Sequence, residues 1–404
     1  MGKVKKFKPI SATCKDCGRD FIITVEEQKR FKSLGFELPK RCCECRKKRK
    51  EEKRVAEAKI KEKQEILENE KRQKKREKEE KAIERLTKEL LIPQISIKDM
   101  ALENPSESLV IIGNGFDLMH GVESSYWDFQ KTIGKNSRFR FYMETYLDTS
   151  DLWSNLEESL GKLNYSSFLN SDNIDMWLDN FEAYNPDAQA ADFFAAVETA
   201  IIPTSEIPRE LKQRFRKWIK TLVVQSDDRP FSMLHGDYKV LSFNYTEFIE
   251  TLYGAKSNNV CYIHGCRKNR NNGKPSELIL GHRPGMEEEQ WNKVKLKPFK
   301  YKKYIMESAS ETAVKEATWY DEETTKKCSD IIKKHRSFFD ELTTIKYVFV
   351  IGHSLSEVDC PYFEEICKKT NAKWYIGYHS LDDLKRLLSF ADKMNLSEIT
   401  IFRS

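Results

Sequence analysis

Seven short apolar runs limit what this chain can fold into: LVII (109–112), KVLSF (239–243), VCYIH (260–264), LIL (278–280), YVFVI (347–351), WYIGY (374–378) and EITIF (398–402). They are rich in β-branched and aromatic residues, and most are continuous rather than alternating. That is the pattern of strands in a parallel sheet covered on both faces. Helical stretches separate them. Residues 380–394 open on Ser380 as an N-cap with Asp383 three residues on, and 321–342 reads as one long helix. The alternation predicts an α/β domain over 105–404, with an open, doubly wound, mostly parallel sheet. Within it, about 124–225 carries only helical spacing and predicts a helical insertion on one side of the sheet.

Four of the runs end alike. The first passes into Gly113-Asn114-Gly115, with Asp117 and His120 just beyond; the second ends at Asn244. The third ends at His264-Gly265, and the fifth at Gly352, His353 and Ser354, with Asp359 further on. Ligands of open α/β sheets sit outside the carboxyl ends of the strands, so these four ends converge on one crevice. Glycines at a strand-to-helix junction let backbone N–H groups approach a phosphate. The plainer alternatives are turn chemistry for Asn and Gly, an N-cap for Asp117 and a packed side chain for His120.

The amino-terminal quarter is built differently. Cys14, Cys17, Cys42 and Cys45 form two C-x2-C knuckles, the spacing of four thiolates around a structural Zn²⁺, with Cys43 pointing elsewhere. Residues 1–48 therefore read as a zinc module. Residues 49–95 read as a charged helical linker: 46–90 holds no Gly or Pro, and Glu and Lys recur at helical spacing. The Ile83–Leu90 end offers a surface for a homo-oligomer, although no heptad is sustained. Residues 1–95 hold 30 Lys and Arg against 18 Asp and Glu, within a chain of net charge +6. Such a basic end suits nucleic acid or another acidic surface. KVKLKPFKYKK (293–303) adds six Lys and two aromatics of the same kind. No apolar run approaches the roughly 20 residues of a membrane span, and the start lacks the apolar core of a secretory signal. A cytoplasmic protein with no membrane partner is expected.

Two resemblances sharpen these expectations. The segment from Cys14 to Lys50, with Gly18, Phe21, Thr24, Glu27-Gln28, Phe31, Gly35 and Pro39-Lys40-Arg41-Cys42, resembles the probable zinc-ribbon domains. IIGNGFDLMHGVESSYWDF, FNYTEFIETLYG, YIHG and FVIGHSLSEVDCPYF, in that order, resemble the AbiH family of bacterial abortive-infection proteins, and through it the sirtuin-like, Rossmann-like nucleotide-binding fold. That resemblance implies antiphage defence with a phage component as trigger. It also implies a nucleotide ligand, NAD⁺ first. Gly113, Asn114, Gly115, Phe116, His120, Gly352 and Ser354 are then expected to bind it. Asn244 would orient the ribose or water, and Asp117 would complete the site. His264, near its ordinary pKa of about 6.5, would be the general base of N-glycosidic cleavage. Asp117 stands where sirtuins have Ser, and the sirtuin zinc module is missing from the α/β region, which argues against protein deacetylation. A nucleotide sensor without turnover and a nucleic-acid effector are the alternatives.

Overall fold

The computed structural model describes residues 8–90, 92–147, 149–164, 198–199, 201–271, 274–284, 315–316 and 318–404. KVKLKPFKYKK and the middle of the 124–225 insertion lie outside them. The chain divides into two compact units, residues 1–82 and 83–404.

In the first unit, β1 (Ile10–Thr13) and β2 (Asp20–Ile23) form an antiparallel hairpin. Helix α1 (Val25–Ser33) follows, its first turn capped by Thr24, whose side chain accepts from the Glu27 N–H. Gln28, the buried residue of this helix, donates from Nε2 to the carbonyls of Lys8 and Ile23. Helix α2 (Cys43–Glu89) then runs uninterrupted, as a Gly- and Pro-free, Lys- and Glu-rich sequence dictates. Its exposed pairs are mostly i,i+4, such as Arg72–Glu68.

The second unit is the expected α/β domain. Strands β3 (Ser108–Ile112), β4 (Lys239–Ser242), β5 (Val260–Tyr262), β6 (Tyr347–Ile351), β7 (Lys373–Tyr378) and β8 (Ile399–Arg403) form a six-stranded sheet among the described residues. Every pairing is parallel, in the order β8-β7-β6-β3-β4-β5. All five residues of β3 are buried, as the centre of a doubly covered sheet requires. Val110 and Ile112 join one core; Leu109 and Ile111 join the other. The first core is closed by α4 (Tyr126–Thr132), α5 (Arg138–Tyr146), α6 (Leu156–Leu160) and α7 (Ile202–Ile219), the described part of the helical insertion. The second is closed by α9 (Cys328–Lys334), α10 (Arg336–Asp340), α11 (Cys360–Lys369) and α12 (Leu381–Lys393). Short helices α3 (Asn114–Met119) and α8 (Phe248–Tyr253) follow β3 and β4. No helix among the described residues is long and apolar enough to cross a membrane.

Three local expectations meet the structure differently. Ser380 and Asp383 form the capping box of α12. Residues 278–280 are not a strand: the Ile279 N–H is given to the His264 carbonyl, but no ladder develops. The long helix over 321–342 is broken, because Thr325 bridges to His282 and His335 caps α9 before α10 begins. The compact unit also reaches back beyond residue 105. Ile83 is buried in its second core, and the Ile401 N–H bonds to the Pro93 carbonyl at 2.9 Å.

Candidate functional site

In the amino-terminal unit the hairpin presents Cys14 and Cys17, and the start of α2 presents Cys42 and Cys45. The four Sγ atoms lie within 4.8 Å of one another. Cys17 and Cys42 Sγ are 3.8 Å apart, the edge of a thiolate tetrahedron whose metal–sulfur bonds are about 2.3 Å. The Cys42 N–H is directed at Cys14 Sγ, 3.3 Å away, so the backbone also supports thiolate charge. Cys43 is exposed and outside the cluster. This donor set fits a structural Zn²⁺.

In the α/β unit the strand order reverses between β3 and β6, and there a cavity of about 710 Å³ opens. Numbered within this sheet alone, the order is that of dinucleotide-binding doubly wound folds, whose ligands sit at this switch point. The cavity is lined by Gly113, Asn114, Gly115, Asp117, Asn244, His264, Gly352 and Ser354 together with residues of the helical insertion.

The glycines do a different job from the one expected of them. Gly113 N–H bonds to the Ile351 carbonyl at 3.1 Å and Gly115 N–H to the Gly352 carbonyl at 2.7 Å. Both donors are thus occupied inside the fold rather than offered to a phosphate. A Cβ on Gly115 would lie 2.7 Å from Gly352 Cα, and Gly352 itself needs φ of +61°. The pair lets two strand ends touch backbone to backbone. Phe116 and His120 do not line the cavity. Phe116 is buried in the core against Phe231 and Tyr253. His120 is buried with Nδ1 on the Phe116 carbonyl and Nε2 on the Tyr253 hydroxyl, at 2.7 and 2.8 Å.

Asp117, in α3, and Asn244, just past the end of β4, meet side chain to side chain. Asn244 Nδ2 donates to Asp117 Oδ1 at 2.7 Å, and Thr246 Oγ1 donates to Oδ2 at 2.6 Å. Asp117 is 2% exposed. Burial pushes its carboxyl up to about 7, against the two hydrogen bonds that favour its charge. Asn244 Oδ1, His264 Nε2 and Ser124 Oγ are buried and have no partner, although all three residues line the cavity. Unpaired buried polar atoms are costly, so a ligand that bonds to them is the economical explanation.

A second polar cluster faces the same space. Lys326 is fully buried and donates to Glu157 Oε2 at 2.8 Å and to Asp359 Oδ1 at 3.1 Å. His264 Nε2 lies 3.7 Å from Asp359 Oδ1, and His353 Nε2 lies 3.5 Å from Oδ2. Leu355, in the left-handed region at φ of +54°, donates its N–H to His353 Nδ1, which leaves Nε2 to face the carboxylate. Burial works against the charge of Asp359, but Lys326 outweighs it and holds this carboxyl well below its usual range. His264 is displaced the other way: burial and then Lys326 push its pKa well below 6.5. The expectation of a base with an ordinary histidine pKa is corrected accordingly: the lowered pKa makes His264 a weaker proton acceptor.

Sequence reasoning missed Glu157, Thr246 and Lys326. Thr246 stands two residues past Asn244 in the same strand-end motif and was legible by that spacing. Glu157 and Lys326 sit among many charged residues of helical pattern, and no local signal separates them.

The family comparisons agree with this geometry. Residues 10–54 match the family described as a probable treble clef domain, which suits a second knuckle at the head of α2. Residues 109–378, from β3 through β7, match the family described as bacteriophage abortive infection AbiH. No curated protein and no solved structure gives a significant match. With two thirds of its length in that match, the chain belongs to the AbiH family of abortive-infection proteins, with a role in antiviral defence.

Proposed function

We propose that the α/β unit binds a nucleotide, NAD⁺ first among candidates, and hydrolyses its N-glycosidic bond. The observation that carries this reading is the unpartnered, buried Oδ1 of Asn244 beside a carboxyl poised near neutrality, at the switch point of a doubly wound sheet. In the reaction the C1′–N bond breaks and the base leaves with the electron pair. Water attacks C1′, and its proton passes to the ionised carboxylate of Asp117. A base with a pKa near the working pH suits that transfer. Asn244 holds Asp117 through Nδ2 and a ribose hydroxyl or the water through Oδ1. His264, neutral, offers Nε2 as a further hydrogen-bonding partner. The phosphates fall to the loop after β6, where Ser354 lines the cavity and Arg386 donates to the Ser354 carbonyl at 3.3 Å. A phage component acts as the trigger.

The test is incubation of the purified full-length chain with NAD⁺, with the released nicotinamide and ADP-ribose followed by chromatography. Turnover that is lost in Asn244→Ala supports the reading. Tight binding without turnover leaves the site a sensor. Inertness toward nucleotides, with steeply salt-dependent binding of nucleic acid by the basic amino-terminal region, transfers the function there.

A further inference from the structure

The cavity wall also constrains the charge of its ligand. Three carboxylates that are buried or nearly so, Asp117, Glu157 and Asp359, line the cavity, whereas no Lys or Arg among the described residues does. Among the described residues Lys326 is the cation in contact with Glu157 and Asp359, shared between the two. Arg267, which acts on Asp117 from further off, is itself paired with Glu247 at 2.9 Å. Among the described residues one cation therefore meets two carboxyl groups before Asp117 is counted. Burial pushes the Glu157 and Asp117 carboxyls up, so their charged forms call for a further cation, and His264, with its pKa lowered by burial and Lys326, is a poor source of one. Uncompensated negative charge on buried side chains is unfavourable unless the ligand brings the opposite sign. The wall also carries aromatic rings among aliphatic and polar residues. Trp153, Phe215, Trp218 and Tyr245 line it, with Phe215 and Tyr245 ring centroids 4.9 Å apart and edge to face. Aromatic faces attract a delocalised cation.

We infer that the cavity selects a ligand whose heterocycle carries a delocalised positive charge, the class to which an N-ribosylated pyridinium belongs, and that Glu157 with the aromatic wall is the selecting element. This rests on the nucleotide reading above and goes further than it. It also fits the chemistry of departure. A cationic ring nitrogen takes the C1′–N electron pair and leaves neutral, so the site needs a base and no acid. A diphosphate is repelled by the same wall and directed to the mouth at Ser354.

Oxidised and reduced nicotinamide adenine dinucleotide differ at the ring by this charge, with the rest of the molecule unchanged. Isothermal calorimetry on the full chain should show the oxidised form binding about tenfold or more tightly, the scale of one desolvated cation–π contact. Glu157→Gln should lower that preference by weakening the oxidised form and sparing the reduced one, at a melting temperature checked in parallel. The wild-type comparison stands even where that variant is unstable. Equal affinities, or tighter binding of the reduced form, overturn the charge inference and leave a nucleotide site. Binding of neither form removes the nucleotide reading and this inference with it.

Discussion

Asn244 Nδ2 donates to Asp117 Oδ1 at 2.7 Å, joining the end of β4 to the helix that follows the neighbouring β3, between residues 127 apart in sequence. The amide spends its donor on the carboxyl and keeps its acceptor for the cavity. Asp117 accepts from both Asn244 and Thr246 and is still held near neutrality by burial. A carboxyl in this state is a reservoir of two properties, reactivity and instability, and both titrate together.

The first prediction follows from that coupling. The folded pKa of Asp117 is about 7, against roughly 3.9 for an unfolded aspartate. The folded state therefore binds the extra proton between these values. Stability from this group is fully present below about pH 4 and is lost as pH rises to 7, a change of roughly 4 kcal/mol. Asp117→Asn mimics the protonated form, so it should be more stable than wild type at pH 8, with the gap closing toward pH 4. Turnover should behave oppositely. In wild type, kcat/KM should rise with pH through about 7, as the base ionises, and Asp117→Asn should be inactive. Denaturant melts and rate profiles over that range check both, and a stability gap that ignores pH would sink the assignment.

The strand ends were legible because Gly, Asn and His interrupt continuous apolar runs, and no partner is needed to see an interruption. What those residues do was less legible. Gly113 and Gly115 look like phosphate donors until β6 is set beside β3, when the Ile351 and Gly352 carbonyls take both N–H groups. Phe116 and His120 share the motif, but the turn of α3 carries them into the core. Glu157 and Lys326 meet only through tertiary structure, from a helical insertion and the stretch before α9. The zinc module was readable outright, since four thiols at fixed spacing leave few other arrangements.

The glycine contact predicts a packing phenotype. Gly115→Ala would place a methyl group 2.7 Å from Gly352 Cα, where it meets backbone alone and no flexible side chain is there to yield. Overpacking of this kind costs about 1–3 kcal/mol. The variant should melt several degrees below wild type even without ligand. A normal melting temperature with lost nucleotide binding would return Gly115 to the role of phosphate donor.

Lys326 makes a sharper test of the second cluster. Lys326→Met leaves Glu157 and Asp359 buried together without their cation, and such a break costs about 3–5 kcal/mol. Adding Asp359→Asn should recover part of the loss, because one of the two stranded charges is gone. A double variant no better than the single one would mean that the triad is not coupled.

The cysteine cluster predicts about one zinc per chain, with Cys14→Ser losing the metal and Cys43→Ser retaining it. Because a small module lacks a sufficient core, metal loss should unfold residues 10–48 and spare the α/β unit. Elemental analysis beside a two-step melt distinguishes the steps. Zinc retained in Cys14→Ser would displace that residue from the ligand set.

The last prediction concerns where the α/β unit begins. A start at residue 105 removes Ile83, Met100 and Leu102, each 5% exposed, from the two cores. At about 1.5–3 kcal/mol per buried side chain, the loss is roughly 5 kcal/mol or more. It also strips Pro93–Ile95 from β8, where the Ile95 N–H bonds to the Ile401 carbonyl and the Pro93 carbonyl accepts from the Ile401 N–H. That edge would then be open to pairing with other chains. Fragment 83–404 should be soluble and melt cooperatively near the full-length transition of this unit. Fragment 105–404 should melt far lower or aggregate. Equal melting temperatures for the two fragments would mean that the last turns of α2 lie on the domain without stabilising it.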